Sequence, residues 1–164
     1  MRAPRAGPAS QPQLRQGSPG VYRGGVSGND DSPDTTPDTP HGLDPDGLAV
    51  RREVLGPDYV QAAIDKIDDT TEEFQRLITR YAWNEIWTRP GLDRRMRSAV
   101  TLTALVAHGH WEELELHLRG ALRNGLSPAE IVEILMQTAI YCGVPAANSA
   151  FRIAKRVLAE EAPA

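Results

Sequence analysis

The chain has 164 residues, a formal net charge of −4 and one cysteine, Cys142. That balance gives no basic stripe for neutralising nucleic-acid phosphates, and a lone cysteine excludes an internal disulfide or a multi-cysteine zinc site. Arginines at 2, 5 and 15 are not followed by an apolar run, so neither a signal peptide nor a membrane span is expected, and the protein is expected to be cytoplasmic.

The first 47 residues hold 8 of the 13 prolines and 8 of the 14 glycines. Apolar residues are almost absent there at helical or strand spacing, so residues 1–45 read as a disordered Pro/Gly-rich tail or linker. A remnant of a fused neighbour, or an over-long start, would have the same composition. From residue 46 to 164 the chain reads as one helical domain, short enough to gain from burying further surface in an oligomer.

In that domain a first helix carries Leu48, Arg51, Arg52 and Leu55 and stops at Gly56, and Pro57 opens the second, with Val60, Ile64 and Ile67 as its stripe. A Thr70-x-x-Glu73 capping box predicts a third helix, with Phe74, Leu77, Ile78 and Tyr81 on its apolar face. This helix runs into Trp83 and Trp87 before Arg89-Pro90-Gly91 breaks it. Asp93 is a candidate N-cap for the long apolar segment RRMRSAVTLTALVAHG, expected to lie in the core. Trp111 to Asn124 is amphipathic and ends at Gly125. Ser127-Pro128-Ala129-Glu130 then joins an N-cap, a first-turn proline and a capping-box glutamate, opening a helix that ends near Cys142 at Gly143 and Pro145. A last helix covers Ala146 to Glu160, and no strand alternation is present. The fold class is therefore all-α.

Chemistry-bearing residues concentrate in HGHWEELELH. Glu113 and His117 lie four apart, on one helix face, where they either act together on a bound molecule or form a solvated ion pair. His108 and His110 can share a metal only if Gly109 breaks the helix, because alternate helical residues point apart. Arg97, in an otherwise apolar helix, is suited to bidentate binding of a carboxylate. Glu85, beside two tryptophans, is either an exposed helix-end residue or a pocket carboxylate, and Tyr141 is either a rim aromatic or a donor. No phosphate loop, nucleophile elbow or dinucleotide fingerprint occurs.

Together WTRPGLDRR, the Glu113 to His117 element, ALRNGLSPAEI and YCGVPAA, with GLAVRREVLGPDYVQAA before them, resemble the 4-carboxymuconolactone decarboxylase family over about residues 46 to 160. The resemblance implies a compact multi-helix domain of the alkylhydroperoxidase D-like type. Peroxidase-like relatives carry Cys-x-x-Cys-x-x-x-His where this chain has His110, Glu113 and His117, and Ser98 stands where they tend to have glutamate; dithiol chemistry is excluded. The implied reaction is cofactor-free loss of CO2 from 4-carboxymuconolactone, giving 3-oxoadipate enol-lactone in protocatechuate breakdown by the β-ketoadipate pathway.

In that scheme Arg97 anchors a carboxylate, and His117, oriented by Glu113, supplies a proton or a hydrogen bond. Glu85 assists proton transfer, and Tyr141 and His110 contact the substrate. The implied partners are a small dicarboxylated lactone and further copies of the chain, as a trimer or hexamer. Two alternatives stay open: a related enzyme acting on another lactone or keto acid, and a non-catalytic helical oligomer whose polar residues form interface ion pairs.

Overall fold

In the computed structural model residues 39–162 are described, and among them every regular element is helical. The helices are α1 (Pro45–Leu55), α2 (Pro57–Ile64), α3 (Glu72–Ile78), a π-helix (Thr79–Ile86), α4 (Arg94–His108), α5 (Trp111–Arg123), α6 (Pro128–Cys142) and α7 (Val144–Glu160). A 3-10 turn, Pro40–Gly42, precedes them.

Most boundaries fall where cap chemistry puts them. The Asp44 side chain accepts from the Gly47 amide at 2.7 Å, and the Asp93 side chain accepts from the Met96 amide at 2.7 Å, each satisfying a donor that the first helical turn leaves free. At α6 both halves of the capping box form: the Glu130 amide donates to Ser127 and the Ser127 amide to Glu130.

Helix α3 starts differently from the expectation. Its N-cap is Thr71, without a side-chain cap bond, and the chain is turned by Asp68, whose carboxylate accepts from the amides of Thr70 and Thr71 and from the Thr71 hydroxyl. Aspartate competes well for nearby amides in this way, so no Thr70–Glu73 box is needed. Pro145 is also not a terminator: it sits in the first turn of α7, where its missing N–H costs nothing.

Two apolar clusters form the interior. One joins Leu102 and Val106 of α4, Leu114, Leu118 and Ala121 of α5, Ile131 and Leu135 of α6, and Ala150, Ala154 and Val157 of α7. The other joins Leu48, Val54 and Leu55 of α1 with Val60 and Ile64 of α2 and with Trp83. Helix α5 serves both, because Leu116 packs on the second cluster while Leu114 and Leu118 fill the first. His117 therefore lies at the seam.

Leu43 belongs to the second cluster and is 1 % exposed, so the packed unit reaches back into the stretch assigned by composition to the tail. The remainder of that assignment lies outside the described residues.

Two apolar stripes are not core. Phe74, Leu77 and Tyr81 of the third helical segment are exposed, and α4 buries only Ser98, Leu102 and Val106 while Met96 and Val100 face outward. A helix apolar all round was expected to be enclosed; in a single chain there are too few neighbours to cover it.

Helix α1 packs so closely on the π-helix that a Cβ on Gly47 would lie 2.1 Å from the carbonyl oxygen of Thr79. Because the obstacle is backbone, relief requires the two helices to separate. Gly47→Ala is therefore expected to lower stability by about 2 kcal/mol or more, read as a reduced denaturant midpoint at unchanged slope.

Candidate active site

The site is built around the π-helix. Opening the helix to i→i+5 bonding, as in the 3.0 Å bond from the Trp87 amide to the Ala82 carbonyl, is uncommon and tends to mark functional positions. Asn84 ties it to the start of α1 by donating to the Asp44 carboxylate at 3.3 Å. The widened turn stacks Trp83 on Trp87, with ring centroids 5.3 Å apart and planes at 28°.

The imidazole of His117 lies against this pair. Its plane is 5° from that of Trp83 at 6.3 Å and 22° from that of Trp87 at 6.5 Å. Burial among these rings pushes its pKa down to about 4, and the Glu113 carboxylate one turn away opposes the shift without cancelling it. His117 is consequently an uncharged imidazole at neutral pH, able to donate one hydrogen bond and accept another. Glu113 itself faces solvent.

Arg97 of α4 is tied to the loop that follows Trp87. Its Nη2 donates to the Arg89 carbonyl oxygen at 2.7 Å, two residues past Trp87, and its Nε is buried with no hydrogen-bond partner. The neighbouring arginines are committed elsewhere: Arg94 pairs with Glu53, and Arg95 with Glu130 and the Gly125 carbonyl. No carboxylate among the described residues pairs with Arg97. A half-buried guanidinium in that state retains donors for an anionic ligand.

The other named residues lie apart from these three. Glu85 is exposed and 4.0 Å from Arg80, at the outer side of the π-helix. Tyr141 is 78 % exposed on α6. His110 is exposed at the N-cap position of α5; Gly109, in the left-handed region at φ 70°, does interrupt the helix and lets His108 and His110 stack at 5.7 Å. No group of three or more metal-ligating side chains occurs among the described residues. Cys142 packs against the first cluster as a half-buried side chain.

Sequence reasoning missed the role of Trp83 and Trp87 as neighbours of His117. Two tryptophans four apart, immediately before a forced loop, were the available signal. It also missed Arg51, 6 % exposed, whose Nη1 donates to Gln75 at 2.9 Å and reaches Thr79 at 3.5 Å. Burial lowers the pKa of this cation, which is held by neutral partners.

The Carboxymuconolactone decarboxylase family model matches residues 72–156, which include Trp83, Trp87, Arg97, Glu113 and His117. The chain belongs to the carboxymuconolactone decarboxylase family. Among its relatives, a 4-carboxymuconolactone decarboxylase from Acinetobacter baylyi is 42 % identical over 111 residues, 68 % of this chain and 83 % of the relative. A nitrosuccinic acid decarboxylase from Metarhizium robertsii is 41 % identical over 128 residues, 77 % of this chain and 90 % of the relative. The family resemblance read from the motifs thus holds, as does the all-α class.

Proposed function

We propose that the protein is a carboxy-lyase that removes CO2 from 4-carboxymuconolactone to give 3-oxoadipate enol-lactone. The observation that carries this reading is an unmatched, half-buried Arg97 bonded to the loop that follows Trp87, with an uncharged His117 stacked near Trp83 and Trp87, in a chain 42 % identical to a decarboxylase of that name. The leaving carboxylate of this lactone is on the carbon γ to the unsaturated carbonyl. As the C–C bond to CO2 breaks, its electron pair runs through the ring to the lactone oxygen, and a proton then adds to a ring carbon.

The protein's tasks follow from that flow. Arg97 holds the carboxylate that stays and balances charge spreading onto the ring. His117 donates a hydrogen bond from its neutral ring to the oxygen where charge accumulates, and Glu113 supports it from the solvent side. The apolar tryptophan surfaces disfavour the dianionic ground state more than the delocalised transition state. Glu85, Tyr141 and His110 are left as outer contributors to proton transfer or substrate contact.

The relative named for nitrosuccinic acid supports a second substrate. Nitrosuccinate also has two carboxylates, one of them beside a group that accepts the released electron pair, so the same Arg97 and His117 chemistry serves it. The deciding experiment supplies each acid to the purified protein and follows CO2 release and product formation, with and without chelator. Turnover of the lactone is expected; absence of turnover with the lactone and preference for the nitro acid would overturn the assignment.

The protein is further proposed to act in the cytoplasm, in protocatechuate degradation, as a trimer or hexamer. No helix among the described residues is long and apolar enough to cross a membrane. The outward side of α4 and α6 supports assembly with further copies: Met96, Val100, Met136 and Ile140 are exposed there, Ile140 to 80 %, and Val100, Ala104 and Ile134 line a groove that also carries Glu133 and Gln137. An apolar face of that extent is uncommon on a monomer. Sedimentation that returned a monomer at micromolar concentration would refute it. The linker role of the residues ahead of the packed unit, which reaches back to Leu43, is proposed with it; removing residues 1–38 should leave folding and turnover intact.

A further inference from the structure

We infer that Trp83 and Trp87 are positioning residues, which hold the imidazole of His117 in one plane and away from water so that it meets the substrate as a neutral hydrogen-bonding group. This rests on the reading of His117 as a group that touches the substrate. Three rings lie within 28° of parallel, and the innermost, Trp83, is 7 % exposed, so it has no room to reorient. Offset stacking at these separations is favourable for aromatic rings and restricts rotation of the imidazole. The π-helix supplies the register, since its i→i+5 bond closes at Trp87.

Burial, and not a neighbouring cation, is what disfavours the charged imidazole. On α5, Glu113 favours the charged form. Arg119 and Glu115 on the same helix are paired with each other and with Glu160, Glu161 and Arg156 of α7. Arg123 donates to the Leu55 carbonyl at 3.0 Å. On α1, Arg51 is held by Gln75 and Thr79, and Glu53 by Arg94 of α4. On the π-helix Glu85 faces Arg80. On α4, Arg95 is paired with Glu130, and Arg97, bonded among the described residues only to the Arg89 carbonyl, keeps its charge unpaired. Displacement of water by burial penalises the imidazolium and spares the neutral ring, and the two indoles are the aromatic surfaces stacked with it.

The test is an NMR titration of His117, assigned by its loss in His117→Ala, on the full chain and on folded Trp83→Phe, Trp83→Leu and Trp87→Leu variants. The midpoint is expected at about 4 in the parent protein. It should stay close to that in Trp83→Phe, which keeps a ring, and rise by roughly one unit or more in the leucine variants. Trp87 is half-buried, so its variant serves if Trp83→Leu does not fold. An unmoved midpoint in folded Trp87→Leu overturns the inference. So does a midpoint that moves while the acid limb of the kcat profile stays in place, because the indoles would then not act through His117. The titration needs no substrate, so failure of the proposed reaction leaves it readable, and an unmoved midpoint in a fully active enzyme removes only the positioning role.

Discussion

Arg97→Leu is expected to lower kcat/KM for the dicarboxylated lactone by about a hundredfold or more, with the fold and melting temperature largely kept. The figure follows from losing a charge-assisted pair of hydrogen bonds in a half-buried setting, about 3 kcal/mol, at roughly 1.4 kcal/mol per tenfold. Its stability effect should be small because the guanidinium has one partner in the unliganded chain, the Arg89 carbonyl, and leaves its Nε unsatisfied. Steady-state kinetics also separate two versions of the role. A rise in KM at constant kcat means that Arg97 grips substrate and transition state alike; an equal fall in kcat and kcat/KM places its contribution on the developing dienolate. Arg97→Lys, which keeps charge but loses the planar fork, should recover only part of the loss. Parent-like kinetics in folded Arg97→Leu would remove the anchor from the scheme.

His117→Ala is expected to reduce kcat by about a hundred- to a thousandfold, the usual scale for losing a donor aimed at developing charge. The parent enzyme should hold its activity from neutral pH down to about 5, then fall as the imidazole protonates near its pKa of about 4. Stability should follow the same group with a definite sign. The folded value, about 4, lies below the ordinary 6.5, so the unfolded chain binds the proton more readily in between. The contribution is therefore complete above pH 6.5 and is lost as the pH falls through about 4, amounting to no more than about 3 kcal/mol. His117→Ala should flatten that part of the stability curve. A variant with full turnover would show that another group stabilises the developing charge.

How far the sequence reveals this molecule depends on how local the cause is. Caps are local: Asp93, Gly125 and the Ser127–Glu130 box act within one turn, and each boundary falls where its chemistry requires. The same locality misled at Thr70, because Asp68 two residues earlier offers a better acceptor to the same amides. Burial is not local. The apolar positions of α4 and of the Phe74 to Tyr81 stripe record that the surface wants to be covered, but nothing in their spacing says whether the chain itself or another molecule covers it.

The site divides in the same way. Arg97 and the Glu113 to His117 pair can be picked out from helix position alone. That Arg97 lacks an acid while Arg94 and Arg95 have one depends on Glu53 and Glu130, which are distant in the chain and close in space. Glu85 and Tyr141 drew notice for their neighbours in sequence, yet both side chains turn outward. The tryptophans reach His117 only through a π-turn, which no residue preference announces.

That turn has a bearing on how this site can vary over time. From Thr79 to Ile86 the helix carries more residue per turn than its flanks, and Trp87 and the loop to Arg89 take their angular setting from that surplus. Because the surplus is what widens the turn, loss of one residue there lets the segment relax to ordinary winding with its flanks near their original setting, and the opening that sets Trp83 and Trp87 against His117 closes. The arrangement is thus encoded in a count as much as in identities. Single replacements along the outer side of the segment should be absorbed, whereas a three-base deletion that spares Trp83 and Glu85 would close the widened turn while leaving each of the site's named side chains in the protein.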